Sequence, residues 1–263
     1  MTRTAVRPSG ALLREWRLRR RLSQLELAGR AGTSARHLSF VETGRAVPSR
    51  TMVLRLAETL EVPLRDVNLA LLGAGHAPEY PDARAEPAAR DGLLALLDGV
   101  LTGHLPFPAL VLDADFDVVA ANAAVDPLLS LVDPALLGPP VNVVRATLHP
   151  RGLAPYVGNL GPWRAHLLRQ VRRHVATAPS PALDALLAEA SAYPHPPGDE
   201  PDVSTFALPL ELRVGEAVLH LYSTVATFGT PLDVAASELA IETFLPADDA
   251  TRRWFADRAA VGR

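Results

Sequence analysis

The sequence predicts a two-domain protein: an all-α domain of five short helices, then an α+β domain with an antiparallel sheet of about five strands. Three observations carry this. Up to Gly75, apolar residues recur at i, i+3, i+4 and i+7 between strong helix caps. Prolines 78, 81 and 87 then fall among small and charged residues, as in a linker. Beyond them many apolar runs shorten to strand length and are bounded by turn residues. With 263 residues, each part is long enough to bury a core of its own.

The first helix is expected over residues 10–20, with Leu12, Leu13 and Trp16 on one face. The second opens at Ser23, where Ser23 and Glu26 form a capping box. Hydroxyl and carboxylate each satisfy a free backbone amide of the first turn. That helix runs to Ala31. Gly32 and Thr33 make a turn, and Ser34 caps a third helix that reaches about Thr43 and is stopped by Gly44. Ser49 caps the fourth, whose Val53, Leu56, Ala57 and Leu60 share a face. Pro63 opens the fifth, which ends at Gly73. The helical domain is expected to occupy residues 1–75 and the linker residues 76–90.

The second domain, residues 91–263, is expected to begin with a helix at 91–101. Strands at 109–113 and 116–121 flank an Asp-Ala-Asp turn. Helices follow at 122–131, 142–148, 162–176 and 181–192, the last capped by Ser180. A proline-rich loop over 194–201 leads to strands at 205–213, 217–228 and 238–245, with a hairpin turn at Gly215-Glu216. In the last strand Leu239, Ile241, Thr243 and Leu245 alternate with polar or small residues. A helix at 249–259 carries Trp254 and Phe255.

The formal net charge of −3 hides an asymmetry. Up to Tyr80, 13 arginines stand against 7 acidic residues; the remainder holds 13 arginines and 22 acidic residues. Such a division is expected where only the first module meets a polyanion, although chance segregation would look the same. All 26 basic residues are arginine, a compositional trait without functional content. The absence of cysteine excludes disulfides, thiolate metal sites and cysteine nucleophiles. No apolar stretch follows the basic start, and no apolar run reaches the roughly 18 residues that span a bilayer. Neither a signal peptide nor a membrane segment is expected, and the default compartment is the cytoplasm.

The segment from Gln24 to Arg45 is the most informative. Leu27, Ala28, Leu38 and Val41 take the inward positions of two crossed helices. Ala28 must be small where the second helix crosses, and Gly32 permits the sharp turn. Over about residues 11–75 the chain resembles the repressor-type (XRE or Cro/C1) helix-turn-helix regulators. That resemblance implies sequence-specific binding to double-stranded DNA. It places Gln24 on a phosphate; Ser34, Ala35, Arg36 and Phe40 on the outward face of the recognition helix; and Arg45 and Ser49 near phosphates in the following loop. Arg36 has the fork to engage guanine O6 and N7. Phe40 departs from the usual long polar residue: it either meets a thymine methyl or packs on the protein's own surface. Arg17 and Glu42 match a buried ion pair that ties the first helix to the recognition helix; the alternative for Arg17 is a solvated arginine.

The second domain has no catalytic constellation. Its histidines are scattered without an i, i+4 pair, and there is no phosphate-binding glycine loop or nucleophile elbow. No enzyme activity, metal or cofactor is expected. Several runs resemble the MmyB-like regulators, which join a repressor-type domain to a PAS-like sensor. They are residues 36–45 (RHLSFVETGR), 107–113 (FPALVLD), 117–122 (DVVAAN), 148–150 (LHP), 227–233 (TFGTPLD) and 244–248 (FLPAD). The resemblance implies a PAS-like sheet with an apolar pocket, a small apolar or fatty-acid-like effector, and a homodimer on an inverted-repeat operator. Asn142, Arg145 and His149, at i, i+3, i+7, could together hold a ligand carboxylate; otherwise they bond the neighbouring helix. Thr224 and Thr227 are candidates for the sheet side of a pocket and Trp163 for a wall, against plain strand and core roles. A second domain that only dimerises, or docks a protein partner, is the competing reading.

Overall fold

A computed structural model describes residues 7–195 and 207–261, and these form two compact units. The first runs through Pro87 and takes back Thr230–Ser237; the second holds Ala88–Gly229 and continues from Glu238.

The first unit contains α1 (Ser9–Arg19), α2 (Gln24–Arg30), α3 (Ala35–Glu42), α4 (Arg50–Thr59) and α5 (Leu64–Gly73). Side-chain caps set three of the starts. Ser23 Oγ accepts the Glu26 amide while Glu26 accepts the Ser23 amide. Ser34 Oγ accepts from His37, and Ser49 Oγ accepts from Met52. Gly32 and Gly44 end α2 and α3 at positive φ, +62° and +74°, which glycine adopts without steric cost. Leu13, Leu27, Leu38, Leu56, Leu60 and Leu71 are fully buried around Trp16, whose indole N–H donates to Asp66 Oδ2 at 2.9 Å.

The expected linker is structured in part. Asn68 donates to the Tyr80 carbonyl at 2.7 Å and accepts the Glu79 and Tyr80 amides, which pins residues 79–80 to α5. His76 reaches the Pro48 carbonyl at 3.0 Å, and Ala83 is buried. These side-chain ties override the reading from composition. A short helix within Thr230–Ser237 also packs on α5 in this unit.

The second unit begins with α6 (Pro87–Gly103), which starts four residues before the expected position. Next come β1 (Ala109–Leu112), β2 (Val118–Ala121), α7 (Asp126–Leu129), α8 (Val143–Leu148), α9 (Leu160–Thr177) and α10 (Pro181–Ala192). The chain continues through β3 (Leu210–Val214), β4 (Ala217–Thr227), the short α11 (Val234–Ser237) just described, β5 (Ala240–Pro246) and α12 (Asp249–Val261). The helix expected over 122–131 is instead a 3-10 turn, Ala123–Val125, followed by α7. Residues 196–206, with most of the proline-rich loop and the start of the expected 205–213 strand, lie outside the described residues.

The five strands form one antiparallel sheet in the order β2-β1-β5-β4-β3. Leu110 and Leu112 of β1 face α9 and α10 together with Leu212, Leu219 and Leu221. Ala109, Val111 and Ile241 face the other way, against Leu97 and Leu101 of α6. β1 is therefore buried on both faces.

This layering corrects the reading of the last strand. Antiparallel partners directly opposite each other share a sheet face. The register pairs Leu110 with Glu242 and Leu112 with Ala240. The main core thus meets Ala240, Glu242 and Phe244, while Ile241 goes to α6.

Candidate DNA interface and effector cavity

The recognition helix α3 is held from behind. Arg17 donates from Nε to Glu42 Oε1 at 2.7 Å and from Nη2 to Glu42 Oε2 at 2.9 Å, and a third nitrogen donates to the Leu22 carbonyl at 2.7 Å. The pair is buried, with side chains 9% and 1% exposed. Gln24 adds a donor from Nε2 to Glu42 Oε2 at 2.8 Å. α1, α2 and α3 therefore converge on one carboxylate. The amide that the resemblance assigns to a phosphate is here directed to Glu42, leaving one N–H and the carbonyl of Gln24 outside that bond.

Sequence reading missed Gly10. A Cβ there would lie 1.9 Å from the Val41 carbonyl oxygen, so only glycine lets α1 approach the end of α3 this closely. No motif marks it; the signal is a glycine in the first turn of a helix, where it weakens helix propensity.

Ser34 and Arg36 are exposed at the start of α3 and Phe40 is half-buried, whereas Ala35, expected on the outward face, packs against the helical core. Ser34 uses its hydroxyl to cap the helix, as Ser49 does for α4. The Arg36 guanidinium lies over the Phe40 ring, 5.5 Å from its centroid. Phe40 is half-buried and Arg36 exposed, so the ring packs on its own helix and supports the arginine one turn away. Arg45 is exposed in the loop after α3, and neither Arg36 nor Arg45 has a hydrogen-bonding side-chain partner among the described residues.

The candidate ligand residues of the second unit separate into structural roles. Asn142 caps α8, accepting the Arg145 amide and donating to Asp117 Oδ1 at 2.8 Å and the Asp115 carbonyl at 2.9 Å. Arg145 Nε shares its N–H between the two carboxylate oxygens of Glu189 of α10, at 2.9 and 3.1 Å, and His149 accepts the Arg151 amide and meets the Tyr193 ring edge-on. The three form no common anion site: their polar groups bond the turn and helix beside them. Burial pushes the Tyr193 hydroxyl well above its ordinary range, and its hydrogen bond to Glu189 adds to the rise. Trp163 is core and stacks on His166. Thr224 shares a hydroxyl bond with Thr243 at 2.6 Å on an exposed stretch, and Thr227 is exposed at the end of β4.

A different set of residues lines a half-open cavity of about 260 Å³. Leu112, Phe116, Val225, Ala240 and Glu242 supply the sheet side, and Gln170, His174 and Thr177 the α9 side. Phe116, at φ +66°, meets the His174 ring edge-on at 4.8 Å. Asp113 also lines this space; its Oδ1 accepts the Asp115 and Asp117 amides, while burial raises its carboxyl above the usual range. A second, wider apolar groove of about 560 Å³ lies between α12 and residues 105–106 and 123–127. Among the described residues no group of histidines and carboxylates is placed to hold a metal ion, and no helix is long and apolar enough to cross a membrane.

A capped helix-turn-helix with a basic outward face, joined to an α+β unit with a cavity against its sheet, defines the class of one-chain DNA-binding regulators with a sensor domain. Residues 10–70 match a helix-turn-helix domain family. Residues 90–257 match the MmyB-like transcription regulator ligand binding domain, and the chain belongs to that family of transcription regulators. No curated protein matches the chain.

Proposed function

We propose that this is a cytoplasmic, sequence-specific regulator that binds an inverted-repeat operator as a homodimer. Its effector is a small, largely apolar molecule, of which a fatty-acid-like compound is one type. Arg36 reads a guanine from the major groove, with Ser34, Ala35 and Phe40 beside it. Gln24, Arg45 and Ser49 engage phosphates and fix the register. Two copies are needed because one recognition helix reads too few base pairs, and half-sites then fall about 34–36 Å apart.

The observation that carries the effector reading is the path of the chain between β4 and β5. It leaves the sheet after Thr227, gives Thr230–Ser237 to the helical unit, and returns at Ala240. In that unit Val234 and Ala235 are buried, and the Val234 amide donates to the Pro81 carbonyl at 2.8 Å. Val225 and Ala240, on the two strands that bear this connector, line the cavity. An occupant that favours one arrangement of those strands would therefore bias the DNA-binding unit.

The test is selection of the preferred DNA from a random duplex library, then footprinting and effector titration on the selected site. Two protected half-sites and a metabolite that shifts DNA affinity about 5–150-fold are expected. A single short half-site bound by a monomer would overturn the dimer, and DNA affinity indifferent to every small molecule would overturn the effector reading.

A further inference from the structure

Glu242 is out of place on an apolar sheet face. The register sets it between Leu110 of β1 and Val225 of β4, on the face covered by α9. It is only 6% exposed. Ser223 Oγ donates to Oε1 at 2.5 Å. Oε2 has no hydrogen-bond partner among the described residues, and the side chain lines the 260 Å³ cavity. A carboxyl buried with half of its acceptors unused is costly, and burial raises its pKa against the opposing Ser223 bond. Oε2 is not among the side-chain atoms closed off without a partner, so it is open to an occupant of the cavity.

We propose that this cavity binds a small apolar molecule through a protonated amine, with Glu242 Oε2 as acceptor and counter-charge. The assignment rests on the effector reading above and names its ligand class. The ammonium donates to Oε2 and restores the charged carboxylate. Asp113, whose Oδ2 makes no hydrogen bond to the described residues, adds a second negative group to the lining. The apolar part fills the space between Leu112, Phe116 and Val225. That volume suits a single ring or a short alkyl chain: an engineered cavity of about 150 Å³ already holds benzene.

A carboxylate is the wrong headgroup for this floor. It would meet Glu242, and two carboxyls in contact cannot both ionise. The cationic lining residues, Arg173 and His174, lie on α9 and are exposed, so an acid bound to them would keep its headgroup in water.

The experiment is calorimetric titration of the full chain near neutral pH with phenethylamine, hydrocinnamate and ethylbenzene, repeated on Glu242→Gln and Ala240→Leu. The amine should bind saturably, and the acid at least about tenfold more weakly. Glu242→Gln should weaken the amine by about tenfold or more and leave ethylbenzene unchanged; a tenfold change is about 1.4 kcal/mol. Ala240→Leu, which narrows the cavity without touching the carboxyl, should weaken amine and hydrocarbon together, and keeps the site testable if Glu242→Gln misfolds. No saturable amine binding, tighter binding of the acid, or an amine affinity unaffected by both variants would overturn the assignment. A carboxylic acid that instead releases the selected DNA would overturn it and leave the effector reading standing.

Discussion

Arg17 and Glu42 meet side-on, guanidinium edge to carboxylate edge, at 2.7 and 2.9 Å, in a site closed to water. Removing one partner strands the other charge in a low-dielectric site. Glu42→Ala should therefore cost the helical unit about 3–5 kcal/mol. Replacing both with apolar residues of similar size should be milder than either single change. Urea unfolding of the three variants gives the comparison; a double variant as unstable as the singles would show that the pair is not the source of the loss.

Gly10 tests the same junction sterically. Gly10→Ala places a methyl 1.9 Å from a backbone oxygen that no rotamer change can move. α1 must shift from α3, and overpacking of this kind costs about 1–3 kcal/mol. The expected result is a lower urea midpoint with an unchanged slope, together with weaker DNA binding. Gly29→Ala meets no atom within 4 Å and is the control, since it should be neutral or slightly stabilising.

Arg36 and Arg45 should differ in kind. Arg36→Ala should cost about 1–3 kcal/mol at one operator base pair and relax specificity there. Arg45→Ala should weaken all sequences alike and reduce the salt slope by about one. Binding isotherms on specific and random duplexes at several salt concentrations separate the two patterns. Equal losses on both DNAs for Arg36→Ala would remove it from base readout.

Val234 tests the connector. Val234→Asp buries a charge where the side chain is 2% exposed and should detach residues 230–237 from the helical unit. DNA affinity without effector should change little, while the response to effector should fall. Amide exchange over 230–237 reports the detachment. A full response with the segment detached would assign the coupling elsewhere.

The pH dependence of Glu242 has a definite sign. Its folded pKa is raised, so the folded state holds the proton longer than the unfolded chain. The stability that this proton provides is complete below the unfolded value, about 4.3, and is lost as pH rises through the folded value. Relative to wild type, Glu242→Gln should gain stability progressively on passing upward through that window and hold the gain above it. Urea unfolding from pH 4 upward measures the difference; a gain that grew on acidification would reverse the assignment.

The helical unit was legible because its information is local. A capping box, two serine caps and two left-handed glycines sit within a few residues of the backbone groups they satisfy, and the i, i+3, i+4, i+7 spacing of Val53, Leu56, Ala57 and Leu60 marks the buried side. Strand positions were legible for a similar reason, since short apolar runs and turn residues suffice. The family resemblance added what spacing alone does not give, which of those helices faces DNA and with which side chains.

Tertiary structure alone decided the rest, because it depends on pairs far apart in the chain. Whether Glu242 or Ile241 faces the main core follows from pairing with Leu110, and strand alternation permits either choice. Asn142, Arg145 and His149 share a helical stretch, yet Asp117, Glu189 and the Tyr193 ring, from elsewhere in the chain, divert each to its own task. The passage of Thr230–Ser237 into the helical unit turns on a bond to Pro81 and the burial of Val234, which no local pattern announces. Local backbone chemistry fixed the elements; long-range register and packing fixed which side chains line a cavity and which merely hold it together.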